Sequence, residues 1–292
     1  MNQPSIEISA ATESLTHVLV EALPYIHQFR DKTMVIKYGG AAQTDEGLKE
    51  AFAKDVALLS HFNIRPVIVH GGGKEISRLS DQMGIPSTFV NGQRVTSEQM
   101  LDVVVMVLGG KINKEIVGMI NRQGGCAVGI SGKDAGLLKA RKSVSETGDD
   151  LGWVGEVEQV DVKIINVLLD NGFIPVISPI GWGSEGKPFN INADIAAAAI
   201  AQALKAEKLI YISDVPGVMV QQKRISTLHQ AQAERYLDEQ VITGGMIPKV
   251  RSAFETLNGG VHKVHLIDGS IPHSLLLELF TDEGIGTQFV GD

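Results

Sequence analysis

With 292 residues, 43% of them apolar and 21% charged, the chain is sized and composed for one large α/β domain or two lobes. A formal charge of −8 gives no general basic face for nucleic acid, and no apolar run is long enough to cross a bilayer. The single cysteine, Cys126, excludes an internal disulfide and a cysteine-only zinc site, fits a reducing cytoplasm, and reads as a small core residue.

The start, 1–11, is polar and reads as frayed, without the charged-then-apolar pattern of a secretory signal. Leu15, Val18, Leu19, Ala22, Ile26 and Phe29 then recur at helical spacing, with Pro24 expected to kink or restart the helix. This arm precedes the first core strand. Its apolar stripe either folds back on its own domain or pairs with another subunit. The first core strand, 33–38, ends in Gly39 and Gly40. Lys37 inside it either snorkels at the sheet edge or faces a ligand, and the glycine pair that follows favours the ligand.

A helix over 48–62 leads to the strand 66–69, four residues that read as a buried parallel strand. It breaks into Gly71, Gly72 and Gly73, and helical spacing resumes at Lys74. Glycines permit a tight strand-to-helix turn, and bare amides at a helix start attract an anion. A tight turn without a ligand is the plain alternative. Arg94 leaves the turn 91–96. Arginine grips carboxylates through paired hydrogen bonds, although a lone arginine is more often a surface charge. Helices over 97–108 and 111–122 flank Gly109 and Gly110. A strand at 127–131 follows, and 138–160 reads as charged hairpins with a solvated loop at 145–150.

A helix over 162–171 feeds the strand 174–178. A polar loop around Gly181, Trp182 and Gly183 leads to Asn190, Asn192 and Asp194, then an alanine-rich helix to Lys205. These three short polar residues either cap the helix or order cations beside it. A strand at 208–213 runs into Asp214 and a turn. A helix over 228–239 and the pair Gly244, Gly245 precede a helix over 248–258. Lys249 in its first turn opposes the helix dipole, so an anion is the expected reason for it. A strand at 264–268, a helix at 274–280 and an edge strand at 284–290 close the chain.

Strands alternating with helices predict an α/β fold, a three-layer αβα sandwich around a mostly parallel sheet, with ligands beyond the strand carboxyl ends. GxxxxGK[ST], HExxH and GxSxG are all absent. What remains is Lys37, Lys249, Asp194 and several anion-binding turns, with no evident nucleophile or base. Phosphoryl transfer has that profile, because its catalysis is positioning and charge neutralisation.

The segments IKYGG, VIVHGGGKEI, NGQRVT, FNINAD, ISDVPGV and GGMIPKV, in this order across 33–291, resemble the amino acid kinase superfamily and, within it, the acetylglutamate kinase branch. IKxGG and SDVxG alone also occur in aspartokinases, glutamate 5-kinases, carbamate kinases and UMP kinases. NGxRVT, and NxNAD after HGGG, favour the acetylglutamate branch. The resemblance implies an eight-stranded, mainly parallel sheet. It implies a helical arm at 1–30 for oligomerisation and regulation, an N-lobe at 31–180 for acetylglutamate binding and dimerisation, and a C-lobe at 181–292 for ATP and arginine. By residue-for-residue match, Gly72, Gly73, Arg94 and Asn190 would hold N-acetyl-L-glutamate. Lys37 and Lys249 would stabilise the transferring phosphoryl group, with Asp194 organising both. Gly39 and Gly40 would cover the phosphates of ATP, which carries Mg²⁺, and Ser213 and Asp214 would lie beside the nucleotide. The implied reaction phosphorylates the side-chain carboxylate, the second step of arginine biosynthesis, and the hairpins at 138–160 are the candidate lid. The arm resembles that of arginine-inhibited homohexamers, trimers of dimers. Tyr25, Lys208, His265, Glu278 and Gly284 match their L-arginine site. In some photosynthetic organisms such an enzyme also binds the PII signal protein. The alternatives are a kinase of a free amino acid such as glutamate, or a non-catalytic amino-acid sensor of the same fold.

Overall fold

The computed structural model describes residues 10–90, 92–144, 148–184 and 186–291, with side chains from residue 20 onward. Residues 1–9 of the start expected to fray, Asn91 and the loop residues 145–147 therefore lie outside the described residues. In chain order the elements are α1 (Ala10–Phe29), β1 (Thr33–Tyr38), α2 (Glu46–His61), β2 (Arg65–His70), α3 (Gly73–Gln82), β3 (Phe89–Val90) and β4 (Gln93–Arg94). Next come α4 (Glu98–Val105), α5 (Asn113–Arg122), β5 (Ala127–Ser131), β6 (Leu138–Val144), β7 (Asp150–Val160), α6 (Lys163–Asp170), β8 (Ile174–Ser178), β9 (Ile180–Trp182) and β10 (Pro188–Ile191). The remainder is α7 (Ala193–Leu204), β11 (Lys208–Ser213), β12 (Met219–Val220), β13 (Lys223–Arg224), β14 (Thr227–His229), α8 (Gln230–Asp238), α9 (Met246–Asn258), β15 (Lys263–Asp268), α10 (Ser274–Leu279) and β16 (Thr287–Val290).

Eight strands form the central sheet in the order β14-β16-β15-β11-β1-β2-β8-β5. Every neighbouring pair is parallel except β15 with β16. The inner strands are apolar on both faces, as a sheet covered on both sides requires. Along β1, Met34, Ile36 and Tyr38 pack with Phe52, Val56 and Leu59 of α2 and with Met100 and Val104 of α4. Val35, pointing the other way, packs with Ala196, Ala197 and Ile200 of α7 and with Val250 and Phe254 of α9. The αβα sandwich follows from that alternation. Small alanines on α7 let the helix lie close against β1, where it brings its first turn beside the end of the strand.

Five local expectations change. Helix α1 runs through Pro24 without a break. Proline removes one backbone bond, and the end of the helix is anchored after it: Phe29 is buried and the Tyr25 hydroxyl donates to Asp282. The arm thus folds back at its end, while Val20 and Leu23 stay exposed. Gly109 and Gly110 do not separate two helices, because Met106–Ile112 is a π-helical stretch joining α4 to α5. Buried Val107, Leu108 and Ile112 hold it, outweighing the weak helix propensity of glycine. The expected loop around Gly181–Gly183 contains β9, which joins β10, β7 and β6 in a small closed barrel. The last strand is not the edge, because β14 pairs outside it; a three-residue strand leaves no periodicity to read. Cys126 is exposed rather than in the core.

Tyr38 shows how the sheet fixes the first glycine turn. Its ring stacks on Phe52 at 3.9 Å, and its hydroxyl donates to the Ala42 carbonyl at 2.5 Å. Burial, with the Glu46 charge adding to it, holds the phenol protonated well above its usual range. Tyr38→Phe should lower stability by about 1–2 kcal/mol, read as a shifted urea midpoint at unchanged m-value.

Candidate active site

Lys37 is the fifth of the six β1 residues, in register with Val69 of β2 and Tyr211 of β11, so its ammonium emerges at the carboxyl end of the sheet. Asp194 lies in the first turn of α7. Asn192 caps that helix, its Oδ1 accepting from the amides of Asp194 at 2.8 Å and Ile195 at 3.3 Å. Lys249 stands in the first turn of α9. The two ammonium groups meet on one carboxylate: Lys37 Nζ is 2.9 Å from Asp194 Oδ1 and Lys249 Nζ is 3.7 Å from Oδ2. Burial alone would raise the Asp194 carboxyl. The charges of Lys37 and Lys249, with their hydrogen bonds, outweigh it and hold the group below the usual carboxylate range. Two cations on one anion leave a net positive charge at the mouth of the crevice.

Two glycine turns flank this triple. Gly40 has φ +70°, and a Cβ there would also run into the Asp214 carboxylate. That carboxylate accepts from the Ala41 amide, which binds the end of β11 to the first glycine turn. In the second turn Gly72 has φ −180° and ψ 22°, outside the left-handed region. Its need is space, since a Cβ would lie 2.6 Å from Leu108 Cδ2. Gly73 opens α3.

Arg94 on β4 closes the far side. Its guanidinium donates to Ser87 Oγ at 2.7 Å, Ser77 Oγ at 2.8 Å and the Gly73 carbonyl at 3.0 Å, and lies over the Phe89 ring at 4.6 Å. Burial lowers its basicity, and the Asp81 charge opposes that. Its three hydrogen-bond partners are neutral, so none of them cancels the positive charge. Asn190 of β10 donates to Thr96 Oγ1 at 3.1 Å, and β10 pairs with β7 at Val154.

Lys37, Gly72, Gly73, Arg94, Asn190 and Asp194 line one cavity of about 330 Å³. Gly39 and Gly40 line an adjoining cavity of about 690 Å³, which shares Lys37 and the second glycine turn. Lys249 reaches the first cavity through Asp194. Ser213 lines neither, although its carbonyl accepts from the Gly269 amide beside Asp214. The β6–β7 hairpin also contributes to the first cavity, through Ser143 and Val154.

The other five residues meet elsewhere. Tyr25, Lys208, His265, Glu278 and Gly284 line a cavity of about 470 Å³ between the end of α1 and the β15–β16 side of the sheet. Lys208 Nζ donates to His265 Nε2 at 3.0 Å, and His265 Nδ1 donates to Glu278 Oε1 at 2.6 Å. Glu278 Oε2 accepts from the amides of Ile285 at 2.7 Å and Gly286 at 2.9 Å. Burial works to raise Glu278, but the His265 contact and these amides hold it low. Burial takes Lys208 down to about 8.

Sequence reasoning missed Ser77, Ser87 and Phe89, which set the guanidinium of Arg94. It also missed Gln43, whose Nε2 donates to Tyr38 O at 3.1 Å and Gly71 O at 3.2 Å, tying the two glycine turns together. A lone serine or glutamine beside a motif carries no signal. Only Ser77, one turn into the helix after the glycines, has a position that points to the site.

The sequence profile of the amino acid kinase family matches residues 32–268, and the chain belongs to that family of phosphotransferases. Within it the chain belongs with the acetylglutamate kinases. It is 58% identical to the acetylglutamate kinase of Chlorobaculum parvum, over 94% of this chain and 90% of that one. Among solved structures it is similar to the N-acetylglutamate synthase of Neisseria gonorrhoeae complexed with coenzyme A and N-acetyl-glutamate, at 30% identity and a TM-score of 0.85. The complex of that synthase with coenzyme A and L-arginine is similar at 28% identity and a TM-score of 0.80. These matches cover 95% and 94% of this chain, which spans only 63% and 65% of the synthase chains.

A depressed carboxyl pKa contributes stability that is complete above its unfolded value of about 3.9 and fades as pH falls through the lower folded value. Asp194→Asn should therefore destabilise the protein at about pH 7 and cost progressively less below about pH 4. Paired denaturation midpoints at the two pH values check this.

Proposed function

We propose that the crevice transfers the γ-phosphoryl group of ATP to the side-chain carboxylate of N-acetyl-L-glutamate, making N-acetyl-L-glutamyl 5-phosphate for arginine biosynthesis. The observation that carries the reading is the convergence of Lys37 and Lys249 on Asp194 between two glycine turns. The acceptor carboxylate has a pKa of about 4.3 and arrives ionised, so no general base is needed. Its oxygen attacks the γ-phosphorus. That bond forms as the bond to the β–γ bridging oxygen breaks, and ADP leaves with the electron pair.

The difficulty is to bring one anion up to another, and fixed positive charge answers it. Lys37 and Lys249 lie on the γ-phosphoryl oxygens, with Asp194 holding both at the right separation. Gly39 and Gly40 cover the phosphates, and Ser213 and Asp214 lie beside the nucleotide. This set of cations and amides suits phosphate oxygens, and magnesium rides in on them. Gly72, Gly73, Arg94 and Asn190 hold the acceptor. Residues 31–180 form the acceptor lobe and 181–292 the nucleotide lobe, with Asn190 and Asp194 at the seam. An acyl phosphate is destroyed by water, so the β6–β7 hairpin closes over it as a lid. Among the described residues no helix is long and apolar enough to cross a membrane, which agrees with a cytoplasmic enzyme.

The second cavity takes L-arginine as feedback inhibitor. Its buried Glu278 carboxylate suits a guanidinium, and the similar synthase was solved with L-arginine. The end of the arm closes that cavity through Tyr25, and exposed Val20 and Leu23 offer the apolar stripe by which arms would pair in a hexamer. Removing residues 1–30 should reduce hexamers to dimers on sedimentation and relieve arginine inhibition. A truncated protein that stays a hexamer would overturn this part.

Hydroxamate trapping of the acyl phosphate tests the main reading, with ATP, Mg²⁺ and a panel of N-acetyl-L-glutamate, L-glutamate and L-aspartate. Turnover of the acetylated substrate alone is expected. Turnover of a free amino acid instead would void the roles of Arg94 and Asn190. Lys249→Ala should cut kcat by about 10²–10³ while arginine still binds. Arg94→Lys should raise the acceptor KM about tenfold or more without moving that of ATP.

A further inference from the structure

His70 ends β2 with no exposed surface, immediately before the second glycine turn. Burial brings its imidazole down to about 4. The bond to Gly71 opposes this, and the Lys114 charge assists it. The ring is therefore neutral at working pH and carries one proton. Two contacts decide which nitrogen holds it. Nδ1 lies 3.0 Å from the Gly71 carbonyl oxygen, which can only accept, so Nδ1 donates. Nε2 lies 3.2 Å from Asn113 Nδ2, which can only donate, so Nε2 accepts. The Asn113 amide cannot turn over without loss. Its second Nδ2 hydrogen goes to the Val176 carbonyl at 2.9 Å, with the Ile130 carbonyl a longer contact at 3.4 Å, and its Oδ1 accepts from Lys114 Nζ at 3.1 Å. Strands β2, β5 and β8 and helix α5 all contribute to this arrangement, and only the Nδ1–H tautomer satisfies it.

The Gly71 carbonyl has a second donor in Gln43 Nε2 at 3.2 Å. In a trans peptide the carbonyl and the following N–H point in opposite directions. A Gly71 carbonyl drawn in to His70 therefore sends the Gly72 N–H out into the crevice. Neither Gly72 nor Gly73 N–H has a backbone acceptor among the described residues. We propose that Asn113 and His70 are positioning residues for the reaction: Asn113 enforces the Nδ1–H tautomer of His70, which pins the Gly71 carbonyl and so aims the Gly72 amide at the reacting groups. This rests on the role given above to Gly72. An imidazolium or the Nε2–H tautomer would set donor against donor at Asn113, and the Nε2–H form would also set two lone pairs against each other at Gly71.

Histidine-labelled full-length protein, without ligand, gives the first test. The ¹⁵N resonances of His70, assigned by their loss in His70→Asn, should show a protonated Nδ1 and a bare Nε2 from about pH 5.5 to about pH 8. An Nε2–H tautomer or an imidazolium overturns the proposal, whatever the chain phosphorylates. Kinetics give the second test. His70→Asn keeps an N–H near the Nδ1 position, whereas His70→Leu keeps only bulk. Asn113→Asp keeps the shape of Asn113 but loses the donor to Nε2. His70→Leu and Asn113→Asp should cut kcat by about 10- to 100-fold, raising the acceptor KM while the ATP KM moves less than about twofold. His70→Asn should recover most of that loss. Equal damage in His70→Asn and His70→Leu, or no damage in either, reduces His70 to packing and overturns the proposal. If the unmutated chain turns over none of the panel, the acceptor assignment fails, and the resonances still decide the tautomer.

Discussion

The ion triple of Lys37, Asp194 and Lys249 is the constraint on which the rest of the site depends. Its members come from β1, α7 and α9, separated by more than half the chain, and each is set by a different local rule. Lys37 is carried by a strand whose neighbours fix its register, Asp194 by a capped helix start, and Lys249 by a helix start that would otherwise disfavour a cation. A partly buried carboxylate between two ammonium groups is paired with both and held in its ionised form. The same arrangement leaves one positive charge in excess, and that excess can draw an anion into the crevice. The lysines cannot drift toward each other without Asp194, nor apart without leaving it unpaired in a half-buried setting.

Two glycine turns complete the field with backbone dipoles, and both are fastened to buried side chains. The first is held from beneath by Tyr38 and from the side by Asp214. The second is held by His70, with Gln43 bridging the two. Bare amides stabilise developing charge only if they do not have to reorient at the moment of reaction. Glycine supplies the close approach and gives up rigidity. The polar groups under the turns restore it.

What was legible in the sequence follows from the strength of the local signal. Strands β1, β2, β8 and β11 are continuous apolar runs ended by glycine or a polar turn, and the structure has them at the expected residues. The sandwich follows from their alternation with helices. The barrel of β6, β7, β9 and β10 was only half legible, because β9 has three residues and two of its neighbours are glycine-rich or charged. The π-helical joint was illegible: Gly109 and Gly110 signal a break, and the buried residues on either side of them overrule it. In the site, Lys37 and Lys249 stood out as charges in unfavourable local settings, and Asp194 as one of three short polar residues at a helix start. The company of Arg94 did not, since Ser77, Ser87 and Phe89 come from separate segments and become partners only through the fold.

The two cavities share a device that no periodicity could announce. His70 and His265 are both fully buried, and burial holds both near 4, so each is a neutral ring across the working range. Each donates from Nδ1, to the Gly71 carbonyl in one case and to the Glu278 carboxylate in the other. Each accepts at Nε2, from an amide in one case and from the Lys208 ammonium in the other. A neutral imidazole is the side chain that can donate on one edge and accept on the other at a fixed spacing, without carrying charge into the core. Used this way a histidine is not a pH switch. It is a rigid connector whose proton is fixed by what stands on either side. A buried cation or acid in its place would have to be neutralised. The fold has put this connector beneath a turn that must hold bare amides still, and again beneath a carboxylate that must stay charged while out of water.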